Sequence, residues 1–139
     1  MASLTLKNVP NPLQDSKQVD VSAWFGNDDN GDPFTVNVRP MTVEKKSLLT
    51  RYVNEFYLSD DGRWESRPKL EADSSAVIAA ICTYDDDGKL VFGVDYMDAI
   101  HRCEQLPEIY RTCLIALATE VLSLTGRMDK EAVGEAEKN

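Results

Sequence analysis

From Leu70 to Tyr84 the chain reads Leu70-Glu71-Ala72-Asp73-Ser74-Ser75-Ala76-Val77-Ile78-Ala79-Ala80-Ile81-Cys82-Thr83-Tyr84. Whether this stretch is helix or strand decides whether the chain is mainly helical or built on a sheet. Val77, Ile78, Ile81 and Thr83 would suit a strand. Ala72, Ala76, Ala79 and Ala80 are strong helix formers, and on that ground the segment is read as a helix.

The flanking sequence is helical in pattern. Downstream, Asp85-Asp86-Asp87-Gly88-Lys89 is a turn and Leu90-Val91-Phe92 a short extended piece. Asp95 can cap a helix running to about 104, with Asp98 three residues on in a weak capping-box pattern. Pro107 suits the first position of the next helix. There Tyr110, Cys113, Leu114, Leu117, Val121 and Leu124 recur at helical spacing, and Gly126 reads as its stop. This helix, about 107–125, is the best-patterned element. Upstream, Thr42 can cap a helix over about 43–57, with Leu48, Leu49, Tyr52, Val53 and Phe56 as its apolar stripe. Residues 59–69 read as a charged loop carrying Trp64.

Towards the N-terminus the periodicity changes. Val19, Val21 and Ala23 alternate with polar residues, as do Phe34, Val36 and Val38. The turn-rich Asn27-Asp28-Asp29-Asn30-Gly31-Asp32-Pro33 lies between them. A β-hairpin is expected, about 18–25 paired with 33–39. A lone hairpin is marginal in water, so it must pack on the helices. Residues 1–17, with Pro10 and Pro12, read as an irregular arm. The expected organisation is therefore a mainly α (α+β) fold of four to five helices packed with an N-terminal β-hairpin. It is a single domain over 18–126 (hairpin 18–39, helical part 42–126), with an acidic tail over 127–139. The expected core is Val36, Val38, Leu49, Tyr52, Val53, Phe56, Ile78, Leu114, Leu117 and Val121.

Composition narrows the function classes. The 139 residues are 42% hydrophobic and 28% charged, which is globular usage. A chain of this size buries about 68% of its unfolded surface, enough for a core without disulfides. Fifteen basic against 24 acidic residues give a net charge of −9. Such a chain has no general electrostatic route to nucleic acid or anionic lipid. The longest apolar run, Ala76 to Cys82, is far short of the roughly 20 residues of a spanning helix. The start lacks the basic region and long apolar run of a signal peptide. Three cysteines in apolar, helix-like contexts favour free thiols in a reducing compartment.

Specific chemistry finds little support. A calcium loop of the EF-hand type needs an oxygen ligand at its first position and glutamate at its twelfth. Aligned on Gly31, Gly62 or Gly88, the chain offers Gly26, Tyr57 or Thr83 at the start and Asn37, Pro68 or Val94 at the end. These are read as ordinary solvated turns. Cys82, His101, Cys103 and Cys113 lack the paired spacing of a zinc site. His101 is the one histidine, so nucleophilic catalysis would have to run through it. No glycine-rich phosphate loop is present. The expectation is no enzyme, no cofactor and no metal. Trp24 and Phe25, ending the first strand, and Trp64 are candidate partner-binding or self-association residues. For the tryptophans, a lid over the core is the favoured reading over a partner anchor. Arg39 is a further candidate, expected to pair with a nearby acid.

The order of features resembles a known family, the tail assembly chaperones of lambda-like long-tailed bacteriophages. The residues carrying the resemblance are Trp24-Phe25-Gly26, then Val36-Asn37-Val38-Arg39-Pro40-Met41-Thr42-Val43-Glu44 leading into a charged helix. They continue with Ala79-Ala80-Ile81-Cys82-Thr83-Tyr84-Asp85-Asp86-Asp87-Gly88-Lys89-Leu90-Val91-Phe92, then Leu124-Thr125-Gly126, and close with Glu135-Ala136-Glu137-Lys138-Asn139. Each motif is individually weak; their order over about residues 20–139 carries the likeness. Phe25 separates Trp24 from Gly26 where the family often has them adjacent, and the 27–33 loop is longer than usual.

The resemblance implies a non-enzymatic protein that binds and solubilises the helical tape-measure protein and promotes tail-tube assembly. It implies a longer frameshift form that engages the tail-tube protein. It places the protein in the host cell cytoplasm and outside the mature virion. A rod-like client needs a series of identical sites, so a homo-oligomer, ring or spiral, is expected. Two other classes are a small acidic adaptor or inhibitor mimicking nucleic acid, and a minor virion structural protein. A mimic would array carboxylates along one face. Here they cluster at 28–32, 60–61 and 85–87, which argues against it.

Overall fold

The computed structural model describes residues 2–9, 15–69 and 73–138, with backbone alone over 128–138. The structure is mixed α+β: among the described residues, five helices and five strands in two small sheets. In chain order they are β1 (Lys17–Asp20), α1 (Ser22–Phe25), β2 (Thr35–Val38), α2 (Val43–Val53), β3 (Asn54–Leu58), β4 (Trp64–Pro68), α3 (Ser74–Cys82), β5 (Thr83–Tyr84), α4 (Tyr96–Glu104) and α5 (Arg111–Lys138).

The ambiguous segment is helical over Ser74–Cys82. α3 begins at Ser74 because the Asp73 carboxylate accepts from the Ser75 and Ala76 amides, a strong N-cap. Its residues from Ala76 to Cys82 are all buried, a helix apolar all round and enclosed on every side. Both readings of the stretch have a share, since Thr83 and Tyr84 leave the helix as β5 and pair with β2. Ala72 lies outside the described residues.

α4 and α5 pack on α3, and α2 closes another side. From α5, Cys113, Leu114, Leu117, Ala118, Val121 and Leu124 face the core. By length and composition the Glu108–Arg127 segment could span a membrane. Here its apolar stripe is buried against α3, as in any core helix. The expected stop at Gly126 is not where the helix ends: α5 continues to Lys138, with Gly126 at an ordinary helical position. Its start is also displaced, because Pro107 precedes a 3-10 turn over Glu108–Tyr110.

β1 and β2 pair antiparallel with Val19 opposite Val36, and β5 adds to the far edge of β2. The N-terminal pairing is therefore present, but it is not a tight hairpin. The first strand ends at Asp20, whose carboxylate accepts from the Ser22 amide at 2.8 Å. That starts α1, so Trp24 and Phe25 sit on a helical turn and do not end a strand.

The expected 43–57 helix is wrong in its last turn. α2 ends at Val53, and Asn54–Leu58 turns into β3, which pairs with β4 from Leu58↔Trp64 to Asn54↔Pro68. The expected charged loop at 59–69 is thus a turn and a strand. A residue that packs inward on a helix does not do so on this ribbon: Phe56, placed in the core by helical spacing, is 54% exposed. The remaining expected core residues hold, with Tyr52 and Val53 partly buried at its margin.

Candidate interaction surfaces

Trp24 and Phe25 meet the beginning of α5. The Trp24 ring packs on the core while its indole N–H donates to Thr112 Oγ1 at 2.9 Å. A partly buried tryptophan with its polar edge satisfied is a lid in the sense expected of it. Phe25 stacks on Tyr110, ring centroids 5.2 Å apart, and stays 41% exposed.

Arg39 lies elsewhere and does not pair with an acid. Among the described residues it has no carboxylate partner, and its guanidinium stacks on Tyr84, 3.9 Å from the ring centroid. Lys45 approaches the same ring at 4.7 Å. Two cations on one aromatic ring is a cation–π arrangement, strongest when desolvated. Lys45 is 4% exposed, and burial holds its ammonium below the ordinary lysine range. The sequence reading overlooked Lys45, although it stands three, four and seven residues before Leu48, Leu49 and Tyr52, in register with the apolar stripe. Its aliphatic stem occupies a core position while its charge finds the ring.

Trp64 is not the lid over the core expected of it: it is 75% exposed and begins β4. It is brought together with neither Trp24 nor Arg39. Its strand partner is Leu58, and Phe56 lies opposite Ser66 on the same face. Phe56, Leu58 and Trp64, all more than half exposed, therefore share one side of the ribbon. The other side is polar and internally paired. Tyr57 donates its hydroxyl to Glu65 Oε2 at 2.9 Å, and Arg67 pairs with Glu55 while lying over the Tyr57 ring. The signal was legible: Phe56-Tyr57-Leu58 and Trp64-Glu65-Ser66 alternate at period two around the turn Ser59-Asp60-Asp61-Gly62.

The acidic turns serve their own backbone. Asp28 accepts from the Asn30 and Asp32 amides, and Asp85 from the Asp87 and Lys89 amides. Among the described residues no three His, Cys, Asp or Glu side chains converge as a metal site. His101 is exposed on α4. No protein-family model, no curated protein and no solved structure matches this chain.

The three thiols are buried and free. Burial pushes Cys82 and Cys113 up to about 11 and Cys103 to about 12, from an ordinary 9.0. A thiol that is not ionised is not a nucleophile. The native chain should therefore resist iodoacetamide at pH 8.5, where the unfolded chain takes three labels; rapid native labelling would contradict this burial. Because the fold favours the protonated thiols, their contribution to stability is complete below pH 9 and is lost as pH rises through 11–12. Tyr52 adds to the same alkaline loss: its hydroxyl donates to Glu104 Oε1 at 2.5 Å and its pKa is raised to about 12.

Proposed function

We propose that this protein is a tail assembly chaperone that binds and solubilises a tape-measure protein, acting as a homo-oligomer. The observation that carries the reading is the ribbon face of Phe56, Leu58 and Trp64 on an otherwise strongly acidic chain. Large apolar side chains held out from a folded surface can shield the apolar stripe of a helical client, and net negative charge keeps the complex dispersed. The ordered motifs over residues 20–139 favour the same reading. Longer forms of the chain that engage the tail-tube protein belong to this proposal.

The test is co-expression with the tape-measure protein encoded by the same genome, followed by purification through a tag on either partner. A soluble, salt-tolerant complex with several copies of this chain per client is expected. Trp64→Ala should weaken it by about 2 kcal/mol, near thirtyfold in affinity, as truncation of an interfacial tryptophan anchor does. A client that stays insoluble with nothing co-purifying would sink the reading. Finding the chain in mature particles would favour a virion structural role instead.

A further inference from the structure

We infer that the ribbon is a self-association element, in which β3 of one copy pairs antiparallel with β3 of a second about a two-fold axis at Phe56. The ladder geometry carries this. The Ser59 amide donates to the Arg63 carbonyl and the Lys69 amide to the Val53 carbonyl, both at 2.8 Å. In an antiparallel pair hydrogen-bonded positions alternate, so Glu55 and Tyr57 bond across to Arg67 and Glu65. Phe56 and Leu58 then turn their N–H and C=O groups to the open edge of β3. Among the described residues no third strand covers either edge.

The two edges are not equivalent. β4 presents Trp64, Ser66 and Pro68 outward, and Pro68 has no N–H to give. Proline at such a position blocks strand addition. β3 carries no such block. A two-stranded ribbon is marginal in water, whereas four strands, in the order β4-β3-β3-β4, are not.

Side-chain charges permit this register. With Phe56 opposite Phe56 of the second copy, Leu58 faces Asn54 and Glu55 faces Tyr57, so no like charges oppose. Between Asn54 and Lys69 the chain holds four acids and three bases, a net −1 out of −9. The ribbon is thus where two acidic copies repel least. The pairing also brings both sets of Phe56, Leu58 and Trp64 onto one face, doubling the apolar platform. An isologous contact closes on itself, so it makes dimers; a ring or spiral needs a second, different contact.

Cysteine cross-linking reads the register directly. In the paired state the two Phe56 Cα atoms lie about 5.5 Å apart, within disulfide range. The two Leu58 positions are displaced by four residues, about 14 Å along the strands. Under mild oxidation Phe56→Cys should form a covalent dimer at least tenfold faster than Leu58→Cys. The wild-type chain, its own thiols buried, should form none. By sedimentation, the wild type should show a reversible monomer–dimer equilibrium that Phe56→Pro weakens at least tenfold. Equal cross-linking rates at 56 and 58 overturn the inference, as does a wild-type chain that stays monomeric at high concentration. The experiment contains no client, so its failure leaves the chaperone reading to be judged by co-expression.

Discussion

Leu117→Ala is expected to lower the stability of the chain by about 3 kcal/mol, the middle of the range for leucine truncation in a packed interior. Leu117 is 0% exposed, at the centre of the α5 stripe that packs against α3. Its neighbours across that interface are themselves fixed. α3 is enclosed along Ala76 to Cys82, and Val121 and Cys113, one turn to either side, are equally buried. With no solvent-facing side to collapse inward, the truncation leaves a cavity, and the cavity adds to the lost transfer free energy. In urea the midpoint should fall with an unchanged slope. The melting temperature should drop by roughly 10 °C for a chain of this size. A loss under about 1 kcal/mol would mean that the α3–α5 interface relaxes freely, contrary to close packing there. Ile115→Ala on the same helix is the control, since that side chain is 45% exposed and should change little.

Gly93→Ala is expected to cost about 3 kcal/mol, at the upper end of overpacking penalties. The position looks undemanding: a half-buried loop residue before α4. Yet a Cβ there would sit 2.7 Å from Ala99 Cα and 2.8 Å from the Asp98 carbonyl carbon, and closer still to the Ala99 nitrogen. These are backbone atoms of a helix, so no rotamer change relieves the clash. The helix is also held from both ends of the contact. Asp95 caps it through the Asp98 amide, while Asp98 accepts from the Val94 amide at 2.9 Å and pairs with Arg102. Shifting Ala99 would break this network and move Ile100 and Cys103 out of the core. The contrast is Gly126→Ala. A Cβ there meets nothing within 4 Å, and the residue lies inside α5. That substitution should stabilise by about 0.5–1 kcal/mol through helix propensity. Thermal unfolding of the two variants side by side checks both; a destabilised Gly126→Ala would mean that the helix ends there after all.

Much of the architecture was legible in the residues because it is locally encoded. Thr42, Asp73 and Asp95 stand before apolar runs, and each caps a helix through its own side chain. The alternation at Val19–Val21 and Val36–Val38 announced two strands. The three glycines of the acidic turns, Gly31, Gly62 and Gly88, adopt the positive φ that such turns require.

Tertiary structure decided what those local signals left open. Helical spacing continues through Phe56, but pairing with Trp64–Pro68 draws Asn54–Leu58 into a ribbon, and cross-strand hydrogen bonds outweigh the small differences of helix propensity. Gly126 is a stop by local rule, yet α5 passes through it, because a helix anchored by a buried stripe tolerates one glycine at a cost of about 1 kcal/mol. Arg39 in an acidic chain invites an ion pair. It stacks instead on Tyr84, which only the pairing of β5 with β2 brings beside it. The sequence by itself determined the four longer helices, the caps Thr42 and Asp95 and part of the core, since these depend on neighbours a few residues away. Only the tertiary structure decided which apolar side chains remain outside, because that depends on which strand finds a partner and which edge is left without one.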